Sequence, residues 1–336
     1  MRIKIQDIAY YLPEKVVTNE SLAEDNPDWD IKSVEERSGV VKRHIAREDE
    51  TALDLALPAC NRLLENGSLR KDMIDGLIFC TQSGDYIIPP NSCLLHKELG
   101  LPDKVLAFDF NLGCSGFVYG LALAKGLLEA AIAKNILLVN ADTYSKYISD
   151  KDRSARVLFG DGASASWISS SDSSKGIEKI ECFTSGKGYE HFYIPAGGCK
   201  MPKSRETCLS LPDKSGNMRT LENIHMNGIG ILTFVNTKVQ KHIKRFLEDN
   251  SLTKDDIDLF VFHQASKLVI NSLTRLLRLN PEKVFIDLAS IGNTVSASIP
   301  IALKTALDKQ QIVPGMKVLI SGFGLGLSWG SAVIDF

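Results

Sequence analysis

Leu69–Phe79 reads LRKDMIDGLIF, and Leu252–Phe262 reads LTKDDIDLFVF. Six of the eleven positions are identical, at an offset of 183 residues. Each string runs into a short apolar stretch that reads as a buried strand. Two fainter echoes follow in the same order. Asn111-Leu112-Gly113-Cys114 corresponds to Ser290-Ile291-Gly292-Asn293 at an offset of 179, and Ile136–Asn140 corresponds to Val318–Gly322. One such match between strand-like strings carries little weight. Three in order, at nearly constant spacing, indicate a duplicated α/β unit. The Ser/Asp/Lys-rich stretch Ser169–Lys175 marks the expected boundary, dividing the chain into residues 1–172 and 173–336.

The rest of the chain fits that unit. Apolar runs at Gly76–Cys80, Lys104–Phe110, Asn135–Asn140, Leu259–Phe262, Lys283–Leu288 and Lys317–Ser321 predict buried strands. Glu50–Asn66, Ser115–Ala133, Ile231–Asn250 and Ser296–Lys309 predict helices, and strands alternating with helices define an α/β architecture. Ser115–Ala124 carries no charge, so that helix is expected to be buried on every face. A chain of 336 residues, 44% of them hydrophobic, buries a sizeable core without disulfides or a structural metal. Thirty-nine Lys and Arg against 41 Asp and Glu leave a formal charge of −2, which excludes a strongly basic nucleic-acid binder. No run approaches the roughly 18 uncharged apolar residues of a membrane span. The N-terminus lacks the pattern of a secretory leader. Seven cysteines without a CxxC pair indicate reduced thiols in a cytoplasmic protein. The six histidines form no HxxxH or HExxH pattern, so no zinc site is expected.

The duplication also predicts geometry. Cys114 and Asn293 fall at equivalent strand-to-helix corners, and His263 ends the strand equivalent to the one ending at Cys80. A pseudo-twofold relation would bring all three together at strand ends, where α/β proteins carry their sites. Cys114 sits in NLGCSGFVYGL, where Gly113 and Gly116 permit a tight corner and the helix N-terminus is expected to lower the thiol pKa. A buried cysteine is ordinarily structural, but none of the other six has this setting. His263 lies in FVFHQAS, and Asn293 in SIGNTVSASIP. Alone, the two read as a strand-end histidine and a turn asparagine. A Cys, a His and an Asn at three strand ends form a constellation for thioester chemistry. SGFGLGLSWGSAV and FGDGASASWI are glycine-rich, but both run on into strand-like sequence, so neither is a dinucleotide fingerprint. Glycines there let the backbone approach a substrate and offer an N–H to an oxyanion.

The strings around Cys114, HQAS at His263, GNTVSASIP at Asn293, FGDGA at Phe159–Ala163 and GFGLGLSWGSA at Gly322–Ala332 resemble the β-ketoacyl-acyl-carrier-protein synthase III family of the thiolase superfamily. The resemblance runs essentially end to end, and Glu36–Ala46 (ERSGVVKRHIA) is similar to that family's stretch entering the cofactor groove. Related families fit less well. A thiolase would carry a second cysteine where Ser321-Gly322-Phe323-Gly324 stands, and a hydroxymethylglutaryl-CoA synthase would need a glutamate in Gln82–Tyr86. The resemblance implies a thiolase-like fold, two duplicated α/β halves in a layered α-β-α-β-α arrangement. It implies that Cys114 takes an acyl group from a thioester. His263 and Asn293 would then donate hydrogen bonds to the enolate left when a malonyl thioester loses CO2. The backbone N–H groups of Cys114 and Leu325 would form the oxyanion hole. Transfer of the acyl group to an oxygen or nitrogen acceptor without decarboxylation is the alternative, and retention of both donors favours condensation. No metal or redox cofactor is implied; coenzyme A or acyl-carrier-protein thioesters are the substrates.

The same resemblance implies Arg37, Arg153, Gly228, Ser266 and Phe323 as substrate-binding positions. The family's Trp position falls on Ser33, with Trp29 four residues earlier, and two Asn positions near the pantetheine fall on Ile229 and Ser266. A carrier-bound donor is therefore an alternative to acyl-CoA. Family members dock acyl carrier protein through basic residues. Two such positions are Thr233 and Leu268 here, leaving Lys238, Lys241, Lys244, Arg245, Lys267 and Arg275 as candidates. Asp85–Pro90 (DYIIPP) matches the loop that crosses the family's dimer interface, with Ile88 where a Phe often closes the partner's acyl pocket. The implied assembly is a homodimer, with no nucleic acid and no membrane among its partners.

Overall fold

The computed structural model describes residues 2–171 and 175–336, so the expected boundary at 172/173 lies outside the described residues. Nine strands form one mixed sheet: β1 (Arg2–Tyr11), β2 (Gly76–Cys80), β3 (Leu106–Phe110), β4 (Asn135–Asp142), β5 (Gly162–Ser171), β6 (Gly176–Thr184), β7 (Leu259–Phe262), β8 (Lys317–Gly324) and β9 (Ser328–Asp335). Their order is β7-β8-β9-β6-β1-β5-β4-β2-β3. Among the described residues only Ile3↔Ile177 joins β1 to β6, and on either side of that seam the same pattern repeats. In one half β4, β2 and β3 are parallel and β5 runs against them. In the other, β8 and β7 are parallel and β9 runs against β8.

Period-two alternation covers both faces. Ile78, Ile136 and Leu138 point to one side of their half-sheet, while Leu77, Phe79, Leu137 and Val139 point to the other. Strands buried on both faces read as the unbroken apolar runs seen in the sequence. Two helices, α3 (Gly116–Glu129) and α6 (Ser298–Asp308), form the middle layer, and their Phe117, Leu121, Ile299 and Leu303 pack against strands of both halves. α1 (Ala52–Glu65) and α2 (Asn91–Leu99) cover one outer face; α4 (Gln240–Asp249) and α5 (Lys267–Leu277) cover the other. The result is the layered α-β-α-β-α arrangement of a thiolase-like fold.

Three expectations need correction. Lys283–Leu288 is not a strand; it makes one isolated bridge, Phe260↔Val284. Gln264 supplies the missing ladder: its Nε2 donates to Phe285 O at 3.3 Å and its Oε1 accepts from Asp287 N at 2.8 Å. A side chain has replaced a neighbouring strand. Second, α3 is not buried all round, because Leu123 is exposed. Third, the helix expected over Ile231–Asn250 begins at Gly228 and passes through a π-turn at Val235–Val239 before α4.

Candidate active site

Cys114, His263 and Asn293 line one cavity of about 830 Å³ at the carboxyl ends of the parallel strands. Cys114 lies between β3 and α3, on a corner closed by Gly116 N donating to Gly113 O at 2.7 Å. Gly324 presses directly on it, since a Cβ there would lie 2.9 Å from Cys114 Sγ. The N–H groups of Cys114 and Leu325 point at the thiol and favour its anion. Burial nonetheless dominates, seconded by the negative charge of Asp142, and pushes the thiol up to about 12. The expected lowering by the helix N-terminus is thus overturned: desolvation outweighs the N–H groups.

His263 follows β7, tied to β8 by its N–H donating to Ser321 O at 2.8 Å. Its Nδ1 lies 2.6 Å from Ser298 Oγ on the first turn of α6, and Phe323 meets the ring edge-on. Burial holds the imidazole down at about 3, so it is neutral.

Asn293 is held by the glycine-rich FGDGA segment. Asn293 N donates to Leu158 O at 2.9 Å, and Gly160 N returns a bond to Asn293 O at 3.0 Å. Gly292 has φ +77°, and a Cβ there would also crowd Arg43 and Leu158, so only glycine fits. Asn293 Oδ1 accepts from Val295 N at 3.0 Å, and its Nδ2, beside the cavity, has no hydrogen-bond partner among the described residues.

Asp142, at the end of β4, joins the two halves beneath the site. Its Oδ1 accepts from Gln82 N at 2.8 Å, and its Oδ2 accepts from Ser296 N and Oγ at 3.3 and 2.5 Å. Burial pushes this carboxyl up to about 7 against those bonds. Asp142 and Ser298 were not singled out in the sequence, although Ser298 lies inside the SASIP string and Asp142 two residues past one of the echoed strands.

Arg37, Arg153, Gly228, Ser266 and Phe323 all line the same cavity, as do Ile229 and Leu268 at exposed positions. Near Arg37 the wall is Val34 and Ser38; neither Trp29 nor Ser33 lines it. Leu325 and Ile88 line two other clefts, and Ile88 is 83% exposed.

Two family models match the chain: 3-oxoacyl-[acyl-carrier-protein] synthase III over residues 108–186, and its C-terminal counterpart over 247–336. A β-ketoacyl-[acyl-carrier-protein] synthase III of Caldanaerobacter subterraneus is 37% identical, covering 97% of this chain and 95% of its own. The chain belongs to the β-ketoacyl-acyl-carrier-protein synthase III family. The synthase III fold recurs in solved structures. A 3-oxoacyl-(acyl-carrier-protein) synthase III superposes with a TM-score of 0.98 at 39% identity, covering both chains in full. The Thermus thermophilus synthase III superposes at 0.88 with 33% identity, covering 99% of each chain. Within this synthase III chain, the strings that carried the resemblance are those that build the cavity: FGDGA clamps Asn293, and GFGLG presses on Cys114 and His263.

Proposed function

We propose that the protein is an acyltransferase that condenses an acyl thioester with a malonyl thioester, and the convergence of Cys114, His263 and Asn293 on one cavity carries this reading. Cys114 sulfur attacks the acyl carbonyl. The departing thiol of coenzyme A or of a carrier leaves with the cysteine's proton. The N–H groups of Cys114 and Leu325 stabilise the oxyanion. A malonyl thioester then loses CO2, and the bonding electron pair moves onto its thioester oxygen as an enolate. His263 Nε2–H and Asn293 Nδ2–H donate to that oxygen. Ser298 holds the tautomer by donating to Nδ1. Neutral donors suit the step, because they stabilise negative charge without handing a proton to carbon. The enolate carbon attacks the acyl carbonyl, the C–S bond to Cys114 breaks with its electron pair going to sulfur, the thiolate regains a proton from solvent, and a β-ketoacyl thioester leaves. The chemistry calls for no metal or redox cofactor.

Arg37 and Arg153 at the cavity mouth receive the phosphates of the pantetheine arm, with Gly228, Ser266 and Phe323 along its path. Lys238, Lys241, Lys244 and Arg245 are exposed above the buried stripe of Val235, Val239, Ile243 and Phe246, and with Lys267 and Arg275 they offer a docking face for acyl carrier protein. β3 is an edge strand, and Ile87 and Ile88 beside it are 99% and 83% exposed, an apolar edge suited to pairing with a second copy as a homodimer. No helix among the described residues is long and apolar enough to cross a membrane, which supports a cytoplasmic setting.

Intact-protein mass spectrometry with acyl-CoAs and acyl carriers tests the first step. The mass gain should vanish in Cys114→Ala. Malonyl donor should then discharge the acyl group with release of CO2; discharge without CO2, onto an oxygen or nitrogen acceptor, would replace condensation with simple transfer.

A further inference from the structure

Two segments far apart in sequence meet at the main cavity: the run 150–156, which carries Arg153, and a hairpin of two short strands, Leu211–Pro212 and Met218–Arg219. Arg219 joins them. Its Nε donates to Asp152 Oδ2 at 2.6 Å, and its Nη2 donates to Asp152 Oδ1 at 3.1 Å and to Ser154 Oγ at 2.7 Å. Its Nη1 lies 3.1 Å from Asp213 Oδ2. Arg219 and Asp152 are both buried, and a two-pronged pair of this kind fixes angle as well as distance.

Arg219 lines the cavity but has little to offer a bound anion. Its N–H groups are turned on carboxylates, and Asp152 and Asp213 together outweigh its single charge. Arg153 is the reverse. From Asp150 to Arg156 every other charged or hydroxyl side chain is engaged. Arg156 meets Asp150 at 3.2 Å, Lys151 Nζ donates to Asn26 Oδ1 at 2.8 Å, and Asp152 and Ser154 bond to each other and to Arg219. Arg153 alone takes no partner among the described residues, and it is exposed at the cavity. The same contacts hold the backbone around it. Asp152 Oδ1 caps the short helix Arg153–Arg156 by accepting from Ser154 N at 2.9 Å, and Met218 N donates to Lys151 O at 3.3 Å. The hairpin tip is folded as tightly, with Asp213 Oδ1 accepting from Ser215 N at 2.8 Å and from Asn217 N at 2.9 Å.

We propose that Arg219 is a positioning residue for Arg153: its fork on Asp152 fixes the turn that presents Arg153 to the cavity, so that affinity for a phosphate-bearing donor depends on a side chain that does not touch the donor. The proposal rests on the reading of Arg153 as a phosphate contact.

Coenzyme A titrated calorimetrically into the wild type, Arg219→Lys, Asp152→Asn, Arg153→Ala and the double variant Arg153→Ala/Arg219→Lys provides the test. Loading of Cys114 is measured alongside, from the acyl-CoA that loads it best and from the matching acyl-pantetheine, which carries no phosphate. Lysine keeps the charge and gives up the fork. Asparagine keeps an acceptor for Ser154 N and gives up the charge. Each should weaken coenzyme A about tenfold, a coupling of the size usual within one ion-pair network, and leave loading from acyl-pantetheine little changed. In the double variant the effect of Arg219→Lys should shrink towards one, because the side chain it acts through is already gone. An undiminished effect there, unchanged affinity in both single variants, or a parallel loss with acyl-pantetheine overturns the proposal; the last would mean that the ion pair only holds the fold. Should Arg153→Ala bind coenzyme A as the wild type does, the phosphate reading of Arg153 falls and takes the proposal with it. If no thioester loads the wild type, the acylation reading falls, and the coenzyme A affinities still decide the role of Arg219.

Discussion

Replacing Ser298 with alanine tests the hydrogen bond on which the second half-reaction turns. Ser298 Oγ lies 2.6 Å from His263 Nδ1, and both residues are buried, at 3% and 1% exposure. With the hydroxyl donating, the imidazole proton sits on Nε2, the nitrogen proposed to face the enolate. Alanine leaves buried Nδ1 without that partner or lets the proton move to it, and either way the Nε2–H donor is weakened. Leaving a buried group without its partner costs about 1–3 kcal/mol, which at about 1.4 kcal/mol per tenfold corresponds to a roughly 5- to 150-fold slower decarboxylation. Loading of Cys114 should change little, because His263 takes no part in it. Rapid-quench mass spectrometry follows loading, and labelled CO2 release from malonyl donor follows the second step. Ser298→Thr, which keeps the hydroxyl, should restore the rate. An equal loss in both steps would mean that the substitution merely disturbs α6, and an unchanged CO2 rate would refute the tautomer argument.

Three further outcomes follow from the same geometry. Because burial raises the Cys114 thiol to about 12, its alkylation by iodoacetamide should climb about tenfold per pH unit from 7 to 10, as the thiolate fraction does; a plateau near pH 8.5 would contradict that environment. Gly324→Ala places a methyl group 2.9 Å from Cys114 Sγ, and the displaced nucleophile should load at about a hundredth of the wild-type rate or slower, with melting temperature checking the fold. Asp142→Asn should destabilise by about 1–3 kcal/mol through its mismatched bonds to Ser296 and Gln82. The Asp142 carboxyl is raised from 3.8 to about 7, so its contribution to wild-type stability is present below the lower value and fades as pH rises through the upper one. Urea titrations at pH 5 and pH 8 should therefore show a larger gap between wild type and variant at pH 5, and a gap that grows with pH would refute burial as the cause.

Much of this was legible in the chain. The strands at Gly76–Cys80 and Leu259–Phe262 fall where the sequence places them, because apolar runs buried on both faces have sharp ends. The Cys-His-Asn corners were found through the internal repeat, which encodes long-range geometry in a way local propensity does not. What stayed hidden depends on packing between distant segments. Lys283–Leu288 looks like a strand, and only the reach of Gln264 explains why it is not one. The helix N-terminus at Cys114 promised a reactive thiol, but the depth of its burial appears only once Gly324 and Leu325 close over it. Tyr144, Gln82 and Asn111 are unremarkable in sequence and become a lining only when three loops meet.

The shared middle layer has a consequence for how the chain is made. α3 is complete at residue 129, yet the helix it packs beside ends at residue 308. At bacterial-like elongation rates of about 5–20 residues per second, that gap of roughly 180 residues lasts about 10–40 seconds. Throughout it, Phe117, Val118 and Leu121 have no opposite sheet to cover them. The nascent chain must therefore carry a sticky, half-built interior out of the ribosome and protect it until almost the last strand emerges.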